Sequence, residues 1–173
     1  MEKIKAFLRE LAESVLPALA IVLVVNVFLA QATRVEGQSM EPNLHNDERL
    51  IIEKITYRFG DPQPGNIVVL RRPDHAGEPL IKRVVAVPGQ TVQIKEGRVF
   101  VDGKLYDEPY LDQETWGTAP LQLVPEEHIF VLGDNRRASN DSRVFGMVPY
   151  DDIIGRAWMR YWPPSRMGPI MVP

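Results

Sequence analysis

The chain has 173 residues, with 20 basic and 23 acidic side chains, a formal net charge of −3 and no cysteine. That length can bury a core without covalent staples, and the absence of cysteine excludes disulfides and thiolate metal sites. No long single-sign charge run stands out, which argues against nucleic acid as a partner, and His45, His75 and His128 fall at no metal-ligand spacing, so no metal or other cofactor is expected.

Residues 1–13 begin the chain as an amphipathic segment. Ile4, Phe7, Leu8 and Leu11 recur at helical spacing with Lys3, Lys5 and Arg9 between them, the pattern of a helix lying at a membrane face. Val15 to Ala30 then reads VLPALAIVLVVNVFLA, uncharged and interrupted only by Pro17 and Asn26. A membrane span takes about 20 apolar residues, with a lower limit of about 17. Adding Ser14 and the weakly polar Gln31 to Thr33 reaches that length, so the expectation is a transmembrane anchor over 14–33. The competing reading is a buried helix of a soluble core, but the run offers no polar face to water. Basic residues before the span place the N-terminus in the cytoplasm and residues 34–173 outside, at a plasma or thylakoid membrane. Ala30-Gln31-Ala32 also satisfies the cleavage pattern of a secretory signal peptide, with a cut after Ala32. Both readings export the chain beyond Ala32. The apolar run is at the long end for a signal peptide, about 7–15 residues being usual, which favours an uncleaved anchor.

From Arg34 the pattern changes to short runs of Val, Ile and Leu separated by Gly, Pro and Asp. Arg49 to Ile55, Asn66 to Arg71, Leu80 to Val87, Thr91 to Lys95, Arg98 to Asp102 and Ile129 to Leu132 are expected strands, with a tight turn at Glu96-Gly97. Ile153 to Trp162 is a last strand, ended by Pro163-Pro164. Gln113 to Pro125 reads as a long loop and the tail SRMGPIMVP as irregular. The expected fold is mainly β, a two-sheet sandwich or distorted barrel, behind one transmembrane helix.

Three stretches carry chemistry. Gly37-Gln38-Ser39-Met40-Glu41-Pro42 offers a serine seven residues after Ala32. A serine needs a base to become a nucleophile, and none of the three histidines stands in a context that commits it to that role. The other solution is a lysine made neutral by burial, its pKa falling from about 10.4. Lys82 in LIKRVVAVP is the best candidate: on a strand it shares one face with Leu80, Val84 and Ala86, while Arg83 points to the other. The plainer alternative is an edge-strand lysine whose ammonium reaches water. The third stretch, GDNRRASNDSRVFG from Gly133 to Gly146, is dense in hydrogen-bonding side chains. Ser139 or Ser142 can orient a lysine amine there, and Asp134 and Asp141 can pair with arginines. An ordinary polar loop has the same composition.

Together the stretches resemble the type I (leader) signal peptidases, membrane-bound serine–lysine peptidases. The resemblance runs through Gln38-Ser39-Met40-Glu41-Pro42, Ile81-Lys82-Arg83-Val84-Val85 with Pro88-Gly89, and Gly133-Asp134-Asn135-Arg136 through Arg143 with Gly146. It implies an endopeptidase that removes signal peptides from exported preproteins after small-x-small (Ala-x-Ala) sites. Ser39 would be the nucleophile, Lys82 the general base and Ser139 the partner of the lysine amine. Arg83 with Asp134 and Asp141 with Arg143 would be structural ion pairs, and Met40, Leu44 and Ile81 would shape the substrate pockets. Its partners would be preproteins and the lipid bilayer. Gly37 stands where some members carry a serine hydroxyl for the oxyanion, and Arg137-Ala138 stand where acidic and amide residues are common. The rival readings are a self-cleaving serine–lysine protease and an inactive anchored β domain that binds exported chains.

Overall fold

A computed structural model describes residues 2–24, 29–72 and 78–171. Val25 to Phe28 of the expected anchor, and His75, lie outside the described residues.

Helix α1 (Glu2–Val24) carries the amphipathic start and the first part of the apolar run, with Pro17 inside it. Its side chains from Glu13 to Val22 are exposed, Leu16 and Ile21 at 64% each. Among the described residues no helix is long and apolar enough to cross a membrane. The apolar part, Val15 to Val24, rises about 15 Å, roughly half the hydrocarbon thickness of a bilayer. The expected span also gives way at its far end. Ala30–Arg34 is strand β1, paired antiparallel with β2 (Arg49–Glu53) from Ala30 opposite Glu53 to Arg34 opposite Arg49. Pairing with β2 claims these weakly polar residues for the sheet, a tertiary effect that a count of uncharged residues cannot register.

The larger sheet has eight strands. The remaining ones are β3 (Ile67–Leu70), β4 (Leu80–Ala86), β9 (His128–Leu132), β10 (Val148–Pro149), β11 (Ile153–Trp162) and β12 (Gly168–Pro169), in the order β1-β2-β11-β3-β4-β9-β10 with β12 beside β11. The smaller sheet runs β7 (Lys104–Leu105), β6 (Arg98–Val101), β5 (Thr91–Lys95), β8 (Ala119–Leu123). The fold is mainly β, its sheets curled by register shifts in β11 and between β4 and β9.

Several elements differ from expectation. The supposed loop Gln113 to Pro125 holds β8, because Leu123 pairs with Thr91 and Ala119 with Ile94. The tail is ordered through a 3-10 turn at Pro164–Arg166 and through β12, which pairs with β11. The strand expected to run to Ile55 stops at Glu53, whose carboxylate accepts the N–H groups of Ile55 and Thr56 and turns the chain into helix α2 (Thr56–Phe59).

Strand β4 positions the site. It lies between β3 and β9, not at an edge, with every residue from Ile81 to Ala86 buried. The edge-lysine alternative for Lys82 therefore fails. One apolar cluster, including Met40, Leu44, Leu50, Ile52, Val69 and Ile81, joins the β1–β2 connection to the sheet. A second, including Val85, Val92, Ile94 and Phe130, joins the smaller sheet to β4 and β9.

Gly155 lets β11 close on β2. A Cβ there would stand 2.4 Å from the Glu53 carbonyl oxygen and 2.9 Å from Ile52 Cγ2. Gly155→Ala should cost about 1–3 kcal/mol of unfolding free energy through overpacking, read as a lower denaturant midpoint at unchanged slope.

Candidate active site

The connection between β1 and β2 closes on itself. Val35 N–H donates to Glu48 O at 2.8 Å and Asp47 N–H returns to Val35 O at 2.9 Å. Inside the loop, Gly37 N–H donates to Asn46 Oδ1, and Met40 and Leu44 are sunk in the core at 1% exposure each. With its neighbour pinned, Ser39 is held half-buried at the loop's surface. Its carbonyl accepts the Asn135 N–H at 3.0 Å, which ties it to the chain beyond β9. Gly133 makes that approach possible: a Cβ there would lie 2.2 Å from Ser139 Oγ and 2.6 Å from Ser39 O.

Lys82 is 2% exposed, and its Nζ stands 2.9 Å from Ser39 Oγ and 2.8 Å from Ile81 O. Burial pushes the ammonium down to about 8, while the carboxylates of Asp141 and Asp134 oppose that shift. No described histidine takes this place: His45 is exposed and the His128 ring bonds the Glu126 carbonyl. Of the two serines considered for the lysine, Ser142 is occupied, its Oγ accepting the Val131 N–H at 2.9 Å. Ser139 Oγ is buried with no hydrogen-bond partner. It lies across Gly133 from Ser39 and makes no bond to Lys82 in this structure.

Arg83, next along β4 and 2% exposed, meets Asp134 through two parallel bonds, Nε to Oδ1 at 2.8 Å and Nη2 to Oδ2 at 2.7 Å. Its third donor reaches Gly65 O, and its guanidinium lies 4.0 Å over the Tyr110 ring. Asp141 and Arg143 make a similar pair, both bonds at 2.7 Å, and Asp141 Oδ2 also accepts the Gly133 N–H. Arg137 lies over the Trp116 ring at 5.2 Å, so one departure from the family pattern stacks on an exposed aromatic.

Two residues that the sequence reading gave no role act as supports. Asn43, four residues past Ser39, donates to Asp134 Oδ2 at 2.8 Å and to Tyr110 O at 2.9 Å. Its own carbonyl accepts from Arg160 and Arg166, which also pair with buried Glu48 at 3.0 and 2.7 Å. Arg136, buried, binds Glu108, Thr115 and Gly133 O. These partners lie up to 123 residues apart, so no local pattern marks them.

Ser39, Lys82, Met40 and Ile81 line a cleft of about 140 Å³, together with Thr33 to Glu36 and Glu78 to Leu80. Leu44 does not line it and packs behind Met40 in the core. Ala30-Gln31-Ala32 lies in β1, its backbone paired with Glu53 to Ile51.

A hydroxyl in contact with a buried amine, beside a cleft on a β scaffold, is an arrangement that a serine-type hydrolase can use. A family profile described as "Signal peptidase, peptidase S26" matches residues 8–162. The "Probable signal peptidase I-1" of Synechocystis is 38% identical over 94% of this chain and 86% of that protein. The "Signal peptidase I" of Leptolyngbya laminosa is 39% identical over 90% and 80%. A crystal structure of a signal peptidase I from Enterococcus faecalis superposes with a TM-score of 0.50 at 29% identity, over 56% of this chain and 96% of that one. The chain belongs to the signal peptidase, peptidase S26, family.

The Arg83–Asp134 pair yields a contrast. Asp134→Ala strands a buried guanidinium and should cost about 3–5 kcal/mol in chemical denaturation. Glu13→Ala, which removes the exposed partner of Arg9, should cost less than about 0.5 kcal/mol.

Proposed function

We propose that this peptidase removes signal peptides from preproteins with Ser39 as nucleophile and Lys82 as general base. The observation that carries the reading is the 2.9 Å contact between Ser39 Oγ and a lysine whose burial favours its neutral form. A neutral amine has one lone pair and two N–H groups. The lone pair takes the Ser39 proton as Oγ bonds the scissile carbonyl carbon. One N–H stays on Ile81 O. The other needs an acceptor, and Ser139 Oγ, buried without a partner, fits that part. The carbonyl oxygen gains the negative charge and is received by the Ser39 backbone N–H, with no help from Gly37. Collapse transfers the lysine proton to the departing amine and leaves an acyl ester on Ser39. Water, deprotonated by Lys82, then hydrolyses the ester and restores the serine.

Substrate would lie extended in the cleft between β1 and the start of β4, bonded along the backbone. Met40 and Ile81 stand in its wall, where they would bound the pockets that choose small side chains. The exposed apolar side chains of α1 and its basic start support a single-pass anchor with a cytoplasmic N-terminus and an extracytoplasmic catalytic domain. Exposed Trp158 and Trp162 suit an interface beside that anchor.

Purified full-length chain with a preprotein whose signal ends in Ala-x-Ala tests the reading. Ser39→Ala and Lys82→Met should each abolish cutting. Protonation removes the lone pair of Lys82, so kcat/KM should rise with pH to a plateau above about 8 and fall roughly tenfold per unit below it. A profile flat through that region would exclude Lys82 as the base.

A further inference from the structure

We propose that Arg166, together with Arg160, is a positioning residue of the active site: the two hold Asn43, and through its turn they set Ser39 against Lys82. This rests on the reading of Ser39 as nucleophile and Lys82 as base. The turn that carries Ser39 is short and closed by its own backbone. Glu41 N–H donates to Gln38 O at 3.2 Å, and Leu44 N–H donates to Met40 O at 2.8 Å. A shift at Asn43 is therefore passed back along the turn to Ser39. Met40 and Leu44 set how deep the turn sits in the core. Apolar packing is non-directional, so its placement toward β4 falls to polar contacts. A slip of about 1 Å between reacting groups can cost about 100-fold in rate, so that placement matters to the chemistry.

Asn43 carries those contacts through its side chain and its backbone. Its Nδ2 donates to Asp134 Oδ2 at 2.8 Å, and Asp134 holds Arg83, the neighbour of Lys82 on β4. Its carbonyl oxygen accepts from Arg160 Nη1 at 3.1 Å and from Arg166 Nη2 at 3.3 Å. The same two guanidiniums grip Glu48, 3% exposed, at 3.0 and 2.7 Å. Each therefore spans two points of the β1–β2 connection, a task that suits a planar fork of donors. The arginines are themselves fixed. Arg160 lies on β11, and its Nε donates to Arg166 O. Arg166 closes the 3-10 turn with its N–H on Pro163 O, and the chain beyond returns to the sheet as β12, opposite Met159 and Arg160. Ile170 N–H donates to Trp158 O at 2.9 Å, and the Ile170 side chain packs against the cluster that holds Met40 and Leu44. The segment after β11 is thus fastened to the serine's turn by polar and apolar contacts together.

The test uses the full chain in detergent and a soluble peptide with an Ala-x-Ala cleavage site, at a temperature well below every variant's unfolding transition. Arg166→Ala should lower kcat about ten-fold and leave KM within about two-fold, because it displaces the nucleophile and not the walls of the cleft. It also takes a partner from the buried Glu48 carboxylate, so the denaturant midpoint should fall. Adding Glu48→Gln removes that charge. The midpoint should then return most of the way, while kcat stays about ten-fold low because Asn43 O still lacks one of its donors. Arg156→Ala breaks the Glu53 pair elsewhere on β11 and should lower the midpoint without lowering kcat. A full rate in Arg166→Ala, a change in KM alone, recovery of kcat together with stability in the double variant, or an equal loss of kcat in Arg156→Ala overturns the positioning role. Unmodified protein that cuts no faster than Ser39→Ala overturns instead the reading of the site on which it rests.

Discussion

The candidate site is arranged around one lysine kept out of water. A cation in the middle of a sheet is unfavourable by several kcal/mol unless it is paired or gives up its proton. Lys82 has no carboxylate in direct contact, and burial lowers its pKa to about 8, while its neighbour Arg83, equally buried, has its charge met by Asp134 through two bonds. Adjacent residues on one strand thus resolve the same problem in opposite ways, and the difference lies in who faces them.

That arrangement explains why the polar residues around the site are so heavily shared. Asp134 neutralises Arg83 and also holds Asn43, which lies in the same loop as Ser39. Asp141 binds Arg143 and also fixes the Gly133 backbone, over which Ser39 packs. The carboxylates that anchor structure therefore sit close enough to influence the lysine. Their pull on Lys82 is toward the charged form, and burial overcomes it.

Much of this was legible in the residues, and the limits have physical causes. Short runs rich in Val, Ile and Leu marked β3, β5, β6, β9 and β11, because buried and half-buried strands carry their apolar residues locally. The three stretches that carry chemistry hold the Ser39–Lys82 contact and the Arg83–Asp134 and Arg143–Asp141 pairs beside it. The hidden parts were set by partners distant in sequence. β1 looked like the end of a span because only β2 reveals it as a strand. β8, reading APLQL, has little strand propensity and exists because β5 accepts it. Asn43 and Glu48 gave no sign at all, since their arginines come from the far end of the chain.

Gly133 has a consequence for how such a protein can vary. The three stretches that build the candidate site are far apart in sequence, and lengthening a loop between them costs little chain entropy. The point where Ser39 O, Ser139 and Gly133 converge has no slack, since even a methyl group would collide with two of them. Evolutionary drift is thereby pushed into the connections, and the junction itself acts as a keystone that admits a single residue type.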